Sequence, residues 1–191
     1  FLHLQKNAPE VLDEDIINNY NDKIITSTEQ LLENMETLLI WSKGQMEQFK
    51  PEFKEITVES LFSFLKSNFN TYSNINFEYK NAQNLSIYSD INILQVILQN
   101  LTNNAIKALD NTLDNKIIWE ASLQKNDIFT LSITDTGKGL SKKQIDALLL
   151  NDNFSIQKSG LGFFIIKDLA KTIGFEITIE FIEGSGTTIM L

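Results

Sequence analysis

Apolar side chains recur every seven residues between positions 14 and 45, and this repeat constrains the fold more than any other feature of the sequence. The central row of the repeat consists of Ile17, Ile24, Leu31 and Leu38. Further apolar residues widen the stripe at Tyr20, Ile25, Leu32, Leu39 and Trp41. A seven-residue repeat predicts one long helix that turns a single face towards partner helices, as in a bundle or a coiled coil.

The segment before this helix indicates how the apolar stripe is covered. Residues 1–6 resemble the tail of another helix, which the break Asn7-Ala8-Pro9 would end. One interpretation is an ordinary two-helix hairpin, and the other is half of a four-helix bundle formed between two chains. A lone hairpin cannot bury so wide a stripe, and this favours the bundle.

The composition excludes several classes of protein. The 191 residues carry 16 basic and 25 acidic side chains, a net charge of −9, and every basic residue is a lysine. The absence of cysteine excludes disulfide scaffolds and thiolate zinc sites, and a single histidine, His3, excludes an internal Ser-His-Asp triad. An acidic chain without arginine is poorly suited to binding nucleic acid, and no apolar run approaches the roughly 20 residues that span a membrane.

The remainder of the chain mixes helices and strands. We predict a helical hairpin over 1–46, a linker over 47–55 that contains Pro51, and a second domain over 56–191. Helices are predicted over 58–72 with Thr57 as N-cap, and over 90–109, 141–149 and 160–173. Strands are predicted over 75–80, 85–89, 116–124, 127–135, 175–182 and 187–191. Because the order is not a strict βαβ alternation, the predicted fold class is α+β, with helices over one face of a sheet.

Three polar residues share one face of the predicted helix 90–109. Asn100, Asn104 and Lys107 are spaced i, i+4 and i+7, so that they stack along the helix. Amide oxygens are hard ligands that suit Mg²⁺, and a lysine one turn further can meet a phosphate. The alternative is a solvated helix face in an asparagine-rich protein, and the spacing alone does not decide between the two.

The segment Asp135-Thr136-Gly137-Lys138-Gly139 directly follows an apolar strand. A carboxylate at a strand end can accept a hydrogen bond from an exocyclic amine, while bare glycine backbone lets a flat base approach. The same residues are also common in turns, so this segment alone is weak evidence for a binding site.

Two further glycine segments follow along the chain. Gly160-Leu161-Gly162 opens the predicted helix 160–173, where exposed N–H groups and the helix dipole favour a phosphate. Its spacing matches neither the P-loop nor the dinucleotide fingerprint, and alone it is most often a loop-to-helix junction. Gly184-Ser185-Gly186-Thr187 introduces the last strand and alone would indicate only a hairpin.

The order of these segments resembles the ATP-binding domain shared by sensor histidine kinases, DNA gyrase, the MutL repair ATPases and the large heat-shock chaperone. The similarity runs through residues 100–107, 135–139, Asn153-Phe154 and 160–162. Leu39-Ile40-Trp41-Ser42-Lys43 also resembles the end of the second helix of a dimerisation and histidine-phosphotransfer domain. Within the superfamily the chain therefore resembles a histidine kinase, whose ATP-binding domain is an α/β sandwich with a mixed sheet covered on one face by helices.

The resemblance implies how the metal and the phosphates of ATP would be held. Asn104 would be a direct Mg²⁺ ligand, and Asn100 would support the metal and its waters. Lys107 would contact the phosphates, and with no arginine in the chain Lys158 would share that role. The segment Gly160-Leu161-Gly162 would close the hinge of a lid over about 141–159 against the triphosphate.

The resemblance also implies how the base would be held. Asp135 would accept a hydrogen bond from the adenine amino group, with Gly137 and Gly139 lining the pocket. Thr187 would assist through a water molecule, and Phe154 would pack within the lid.

Two departures from the family bear on the reaction. Hydrolysing members carry a glutamate general base where Asn100 stands, and an amide cannot take a proton from water, which favours a kinase over a gyrase-like or MutL-like ATPase. His3 lacks the acidic residue and the proline that follow the acceptor histidine in the family, so we expect the acceptor upstream of this fragment. A nucleotide-gated interaction module without transferase activity is the alternative.

The resemblance finally implies partners and a location. We expect a homodimer formed through the helical hairpin and a response-regulator receiver domain that takes the phosphoryl group from the histidine. We expect no nucleic-acid partner and no direct membrane contact in this fragment, which would be the cytoplasmic part of a membrane-anchored bacterial sensor.

Overall fold

The computed structural model describes most of the chain, over residues 14–44, 50–81, 83–109, 115–124, 127–139, 161–182 and 186–191. It contains two compact units, Phe1–Ile40 and Trp41–Leu191. The division into a hairpin over 1–46, a linker over 47–55 and a domain over 56–191 stays a prediction.

A single helix, α1 (Glu14–Gly44), spans the seven-residue repeat and confirms the helix predicted there. Its apolar stripe is open to water, with Leu31 60% and Leu32 58% exposed. An exposed apolar face of this length indicates that another surface packs against it. The preceding helix predicted over 1–6 lies outside the described residues, so the hairpin and the bundle stay predictions. No described helix is long and apolar enough to cross a membrane.

The second unit contains three described helices and seven described strands. The helices are α2 (Val58–Phe69), α3 (Ile91–Ala108) and α4 (Leu161–Thr172). The strands are β1 (Lys54–Thr57), β2 (Asn76–Lys80), β3 (Ser86–Ser89), β4 (Lys116–Leu123), β5 (Phe129–Asp135), β6 (Thr178–Ile182) and β7 (Gly186–Met190). The helix predicted over 141–149 lies outside the described residues.

Most predicted elements are confirmed, and three details of the prediction are wrong. The helix predicted to reach 72 ends at Phe69, because Tyr72 N–H turns back onto the Phe69 carbonyl. The strand predicted from 175 begins at Thr178, because the N–H of Phe175 is used to close α4 on the Ala170 carbonyl. Strand β1, which pairs antiparallel with β3, was not predicted, and its first two residues, Lys54 and Glu55, fall within the predicted linker.

Five strands form one mixed sheet in the order β2-β4-β5-β7-β6. The β2–β4 pair is parallel and the other three pairs are antiparallel. Burial alternates along β4, where Ile117, Trp119 and Ala121 are buried and Glu120 is exposed, so one face of the sheet lies in the core. The mixed sheet with helices on one face confirms the predicted α+β fold class.

Helix α3 is fixed to the sheet through its buried stripe and one polar contact. The buried residues of the helix are Ile93, Leu94, Ile97, Leu98, Leu101, Thr102 and Ala105. Trp119 Nε1 donates a hydrogen bond to Thr102 Oγ1 across 3.2 Å. Because both groups are buried, this bond satisfies an indole donor that would otherwise be left in an apolar core.

The start of α3 is held by a buried carboxylate. Asp90 is the N-cap, and its Oδ1 accepts hydrogen bonds from Asn92 N at 2.9 Å and Ile93 N at 3.2 Å. Its Oδ2 accepts from Glu52 N at 2.8 Å, which ties the segment before β1 to the helix. One side chain therefore satisfies two helix donors and a third donor 38 residues away.

We expect Asp90→Ala to lower the free energy of unfolding by about 3 kcal/mol, because three backbone donors lose a charged acceptor. Asp90→Asn keeps an oxygen for the helix donors and should lose about 1 kcal/mol. Urea unfolding followed by circular dichroism measures both. A loss for Asp90→Ala below about 0.5 kcal/mol would show that the cap does not anchor the helix.

Candidate functional site

The polar face of α3 carries three of the predicted site residues. Asn100 is half-buried, and its Nδ2 donates to the Val96 carbonyl at 2.8 Å. Asn104 and Lys107 are exposed. Since the opposite side of the helix is buried, the spacing does place amide groups and an ammonium group along one accessible face, as predicted.

The second predicted group, Asp135, ends β5 and is only 6% exposed. Its Oδ1 accepts a hydrogen bond from Gly137 N at 2.8 Å. Burial raises the pKa of the Asp135 carboxyl, while the backbone N–H groups of Gly137 and Thr187 act in the lowering direction. The site thus holds a nearly buried acceptor at a strand end, oriented by the loop that follows it.

Gly137 brings this loop into contact with the end of α3. A Cβ at position 137 would lie 2.5 Å from the Ala108 carbonyl oxygen and 2.8 Å from Asp135 Oδ1. The same carbonyl accepts a hydrogen bond from Lys138 N at 3.3 Å. The loop and the helix therefore touch backbone to backbone, which only glycine allows at this position.

The last strand completes the surroundings of Asp135. Thr187 is buried and lies opposite Asp135 in the β5–β7 pairing. Gly186 precedes it with a φ of 104°, and a Cβ there would overlap the Asp135 carbonyl oxygen. Gly139, half-buried in the same loop as Gly137, has a φ of 69°, which also favours glycine.

Three residues of this arrangement were not assigned roles from the sequence. Ala108 contributes only its carbonyl oxygen, which no side-chain pattern signals. Gly186 belonged to a recognised glycine segment, but its contact partner is 51 positions away. Thr136 lay within the predicted segment 135–139. Its hydroxyl, which bonds to the Lys116 backbone, was the feature of the sequence that could have indicated this contact.

The remaining predicted site residues give less information. Phe154, Lys158 and Gly160 lie outside the described residues. Leu161 and Gly162 are the first two residues of α4, which packs against α3. The helix predicted over 160–173 is thus present from Leu161 and lies beside the helix that carries Asn100 and Asn104.

The side chains of this face suit a metal ion that is coordinated only partly by the protein and otherwise by a bound molecule and water. Within the described ranges, no group of three or more histidine, cysteine, aspartate or glutamate side chains could hold a metal ion. The exposed amide of Asn104 and the nearby amide of Asn100 are the oxygen donors of this face. Such a site suits Mg²⁺, which keeps several waters and takes phosphate oxygens as ligands, and suits softer metals poorly.

Comparison with known proteins is consistent with this geometry. The family model described as Histidine kinase-, DNA gyrase B-, and HSP90-like ATPase matches residues 89–191. The sensor histidine kinase GraS of Staphylococcus epidermidis is 23% identical over 120 residues, which is 60% of this chain and 34% of GraS. The chain therefore spans about a third of the length of that relative.

Solved structures share the fold. The structure of histidine kinase ThkA in complex with response regulator protein TrrA matches with a TM-score of 0.72 and 19% identity, over 100% of this chain and 54% of that chain. Full-length ShkA in complex with AMPPNP matches with a TM-score of 0.69 and 18% identity, over 98% and 40% of the two chains. At these identities the likeness shows the fold alone.

We expect Gly137→Ala to destabilise the protein by more than about 2 kcal/mol, because the added Cβ would collide with backbone atoms of α3. Gly174→Ala is the matched control, since it has open space around it and only a left-handed φ of 82° to oppose the change. That control should lose about 1 kcal/mol. Urea unfolding compares the two, and an equal loss would mean that crowding at position 137 is absent.

The raised pKa of Asp135 predicts a pH dependence of stability. Above its folded pKa the ionised carboxylate is desolvated, so the parent protein loses stability as pH rises through that value. Asp135→Asn has no such titration. We expect the free energy of unfolding of the variant, relative to the parent, to increase from pH 4 towards pH 8 in urea titrations. A relative increase towards low pH would instead require a lowered pKa.

Proposed function

This chain belongs to the histidine kinase-, DNA gyrase B- and HSP90-like ATPase family, and we propose that it is the ATP-binding catalytic portion of a two-component sensor histidine kinase. In this proposal it transfers the γ-phosphoryl group of ATP to a histidine upstream of Phe1. The observation that carries the proposal is the buried Asp135 carboxylate, held at a strand end between two glycines that leave no room for a Cβ.

The base would be recognised by Asp135 and the glycines around it. Adenine presents an exocyclic amine that donates a hydrogen bond, whereas guanine presents a carbonyl oxygen at the corresponding position. A carboxylate accepts from the first and repels the second. Gly137 and Gly139 would let the flat base approach the loop, and Thr187 would assist through water. This arrangement favours ATP over GTP.

The phosphates would lie along the polar face of α3. Mg²⁺ would be held by Asn104 with the support of Asn100, and when bound it neutralises charge on the phosphates. Lys107 would contribute a positive charge from the same face, and Lys158 would add one from the lid. The backbone N–H groups at the start of α4, around Gly160, Leu161 and Gly162, would bind the triphosphate.

Asn100 favours transfer to a protein acceptor over hydrolysis. Its amide nitrogen is bonded to the Val96 carbonyl of the same helix, and an amide has no basic form near neutral pH. It can position a metal or a water molecule but cannot take a proton from an attacking water. A gyrase-like or MutL-like ATPase activity is therefore disfavoured.

The exposed stripe of α1 supports the proposed homodimer. Leu31, Leu32 and Leu39 are each more than half exposed, and a second copy of the helical hairpin would cover them. We further propose a response-regulator receiver domain as the partner that takes the phosphoryl group, by analogy with ThkA, which is solved in complex with a response regulator. The fragment would lie on the cytoplasmic side of a membrane-anchored sensor.

We expect Asn104→Ala to lower the affinity for Mg²⁺-ATP at least about tenfold without changing the fold. Isothermal titration calorimetry measures the affinity and circular dichroism checks the fold. Asn92→Ala, an exposed asparagine near the start of the same helix, is the control and should bind like the parent. Unchanged affinity in Asn104→Ala would remove Asn104 from the metal site.

Phosphoryl transfer is tested with γ-labelled ATP and Mg²⁺ on two proteins, this chain and a longer one that includes the residues preceding Phe1. We expect acid-labile, base-stable label on the longer protein alone. Label on this chain that disappears in His3→Gln would make His3 the acceptor. ATP binding with no label on either protein would identify a nucleotide-gated interaction module, and fast phosphate release would identify an ATPase.

A further inference from the structure

The hydroxyl of Thr136 replaces a backbone carbonyl at the point where β4 and β5 separate. The last ladder pair joins Ile117 and Asp135. One residue further, Thr136 N donates to the Lys116 carbonyl at 3.1 Å, as it would in a continuing antiparallel ladder. The return bond differs, because Lys116 N donates to Thr136 Oγ1 at 3.0 Å and not to a main-chain oxygen.

Because the Thr136 hydroxyl takes the place of a carbonyl, the chain can leave the sheet directly after Asp135 while the Lys116 N–H still has an acceptor. In a continuing ladder the Lys116 N–H would bind the carbonyl of residue 136, and the backbone would have to run on along β4. With the hydroxyl as acceptor, the backbone turns at once. Gly137 N can then reach Asp135 Oδ1 at 2.8 Å, and Lys138 N can reach the Ala108 carbonyl at 3.3 Å.

The turn therefore decides how the Asp135 carboxylate is oriented. Two backbone N–H groups act on this carboxylate, those of Gly137 and Thr187. The position of the Gly137 N–H, which bonds to Oδ1, depends on where the backbone bends. If the hydroxyl were lost, Lys116 N–H would be left without this acceptor or would draw the carbonyl of residue 136 into the ladder. Either change would move Gly137 relative to Asp135, while the strands themselves would keep their pairing.

We propose that Thr136 is a positioning residue whose hydroxyl fixes the orientation of the Asp135 carboxylate and thereby sets the preference of the site for adenine over guanine. The inference rests on the proposed function, since it concerns the same nucleotide site. In this role Thr136 acts through Asp135 and does not itself touch the base.

Thr136→Val tests the proposal, because it keeps the shape of the side chain and removes the hydroxyl. Thr136→Ser keeps a hydroxyl, and Thr134→Val, two residues earlier in β5, is the matched control. Thr134 is also half-buried, and its replacement by valine loses a hydroxyl contact to Thr188 Oγ1 at 2.9 Å, which joins β5 to β7 and not to the loop after Asp135. Calorimetry gives the affinities for Mg²⁺-ATP and Mg²⁺-GTP, and thermal unfolding gives the stability.

We expect Thr136→Val to reduce the ratio of ATP to GTP affinity at least about tenfold, whereas Thr136→Ser and Thr134→Val stay within about twofold of the parent. In an Asp135→Asn background, Thr136→Val should reduce the ratio no further, because both changes act on the same group.

A Thr136→Val protein that is less stable but keeps the parent ratio would overturn the proposal and leave Thr136 a purely structural residue. A further tenfold loss in the Asp135→Asn background would also overturn it. If Thr136→Val does not fold, the ratio of ATP to GTP affinity is measured for Thr136→Ala and compared with that of the parent in the same way. A parent protein without any preference for ATP would instead contradict the proposed function itself.

Discussion

The carbonyl oxygen of Ala108 is the contact on which the geometry of the whole site depends. It lies at the end of α3, whose start is capped by Asp90 and whose middle is bonded to Trp119 through Thr102. At this oxygen the helix with the asparagine face meets the loop that orients Asp135. The distance between the asparagine face, which we propose to bind phosphate, and the Asp135 carboxylate, which we propose to bind the base, is therefore set by backbone atoms, which side-chain motion cannot alter.

The same arrangement places a carboxylate, which we propose to bind the base, where a charge is least favourable for folding. Asp135 is nearly buried, and its desolvation is only partly offset by two backbone N–H groups. An apolar residue would suit the end of β5 better, but it could not accept a hydrogen bond from a ligand. The surrounding glycines and the Thr136 hydroxyl hold the carboxylate in place. The free-energy cost of desolvation is therefore concentrated at Asp135, and its neighbours keep that side chain in position.

Local patterns predicted what depends on local periodicity, and missed what depends on contacts between distant residues. The spacing of Asn100, Asn104 and Lys107 was sufficient to place them on one helix face, and Thr57 and Asp90 were visible as helix starts. Strand β1 was missed because it has four residues with a single buried side chain, and only its pairing with β3 defines it. The bond from Lys116 N to the Thr136 hydroxyl was likewise not predictable, because a hydroxyl that replaces a carbonyl leaves no trace in residue spacing.

The order of the strands has a consequence for how the protein is made. Strand β7 is synthesised after β6, yet it lies between β5 and β6 in the sheet, and Thr187 stands opposite Asp135. A nascent chain that has already exposed β5 and α4 therefore lacks a central strand, and the edge of β5 stays open. The end of the site that we propose to bind the base is completed only after β7 has been synthesised. Until then the Asp135 carboxylate lacks the backbone N–H of Thr187 that acts on it in the folded domain.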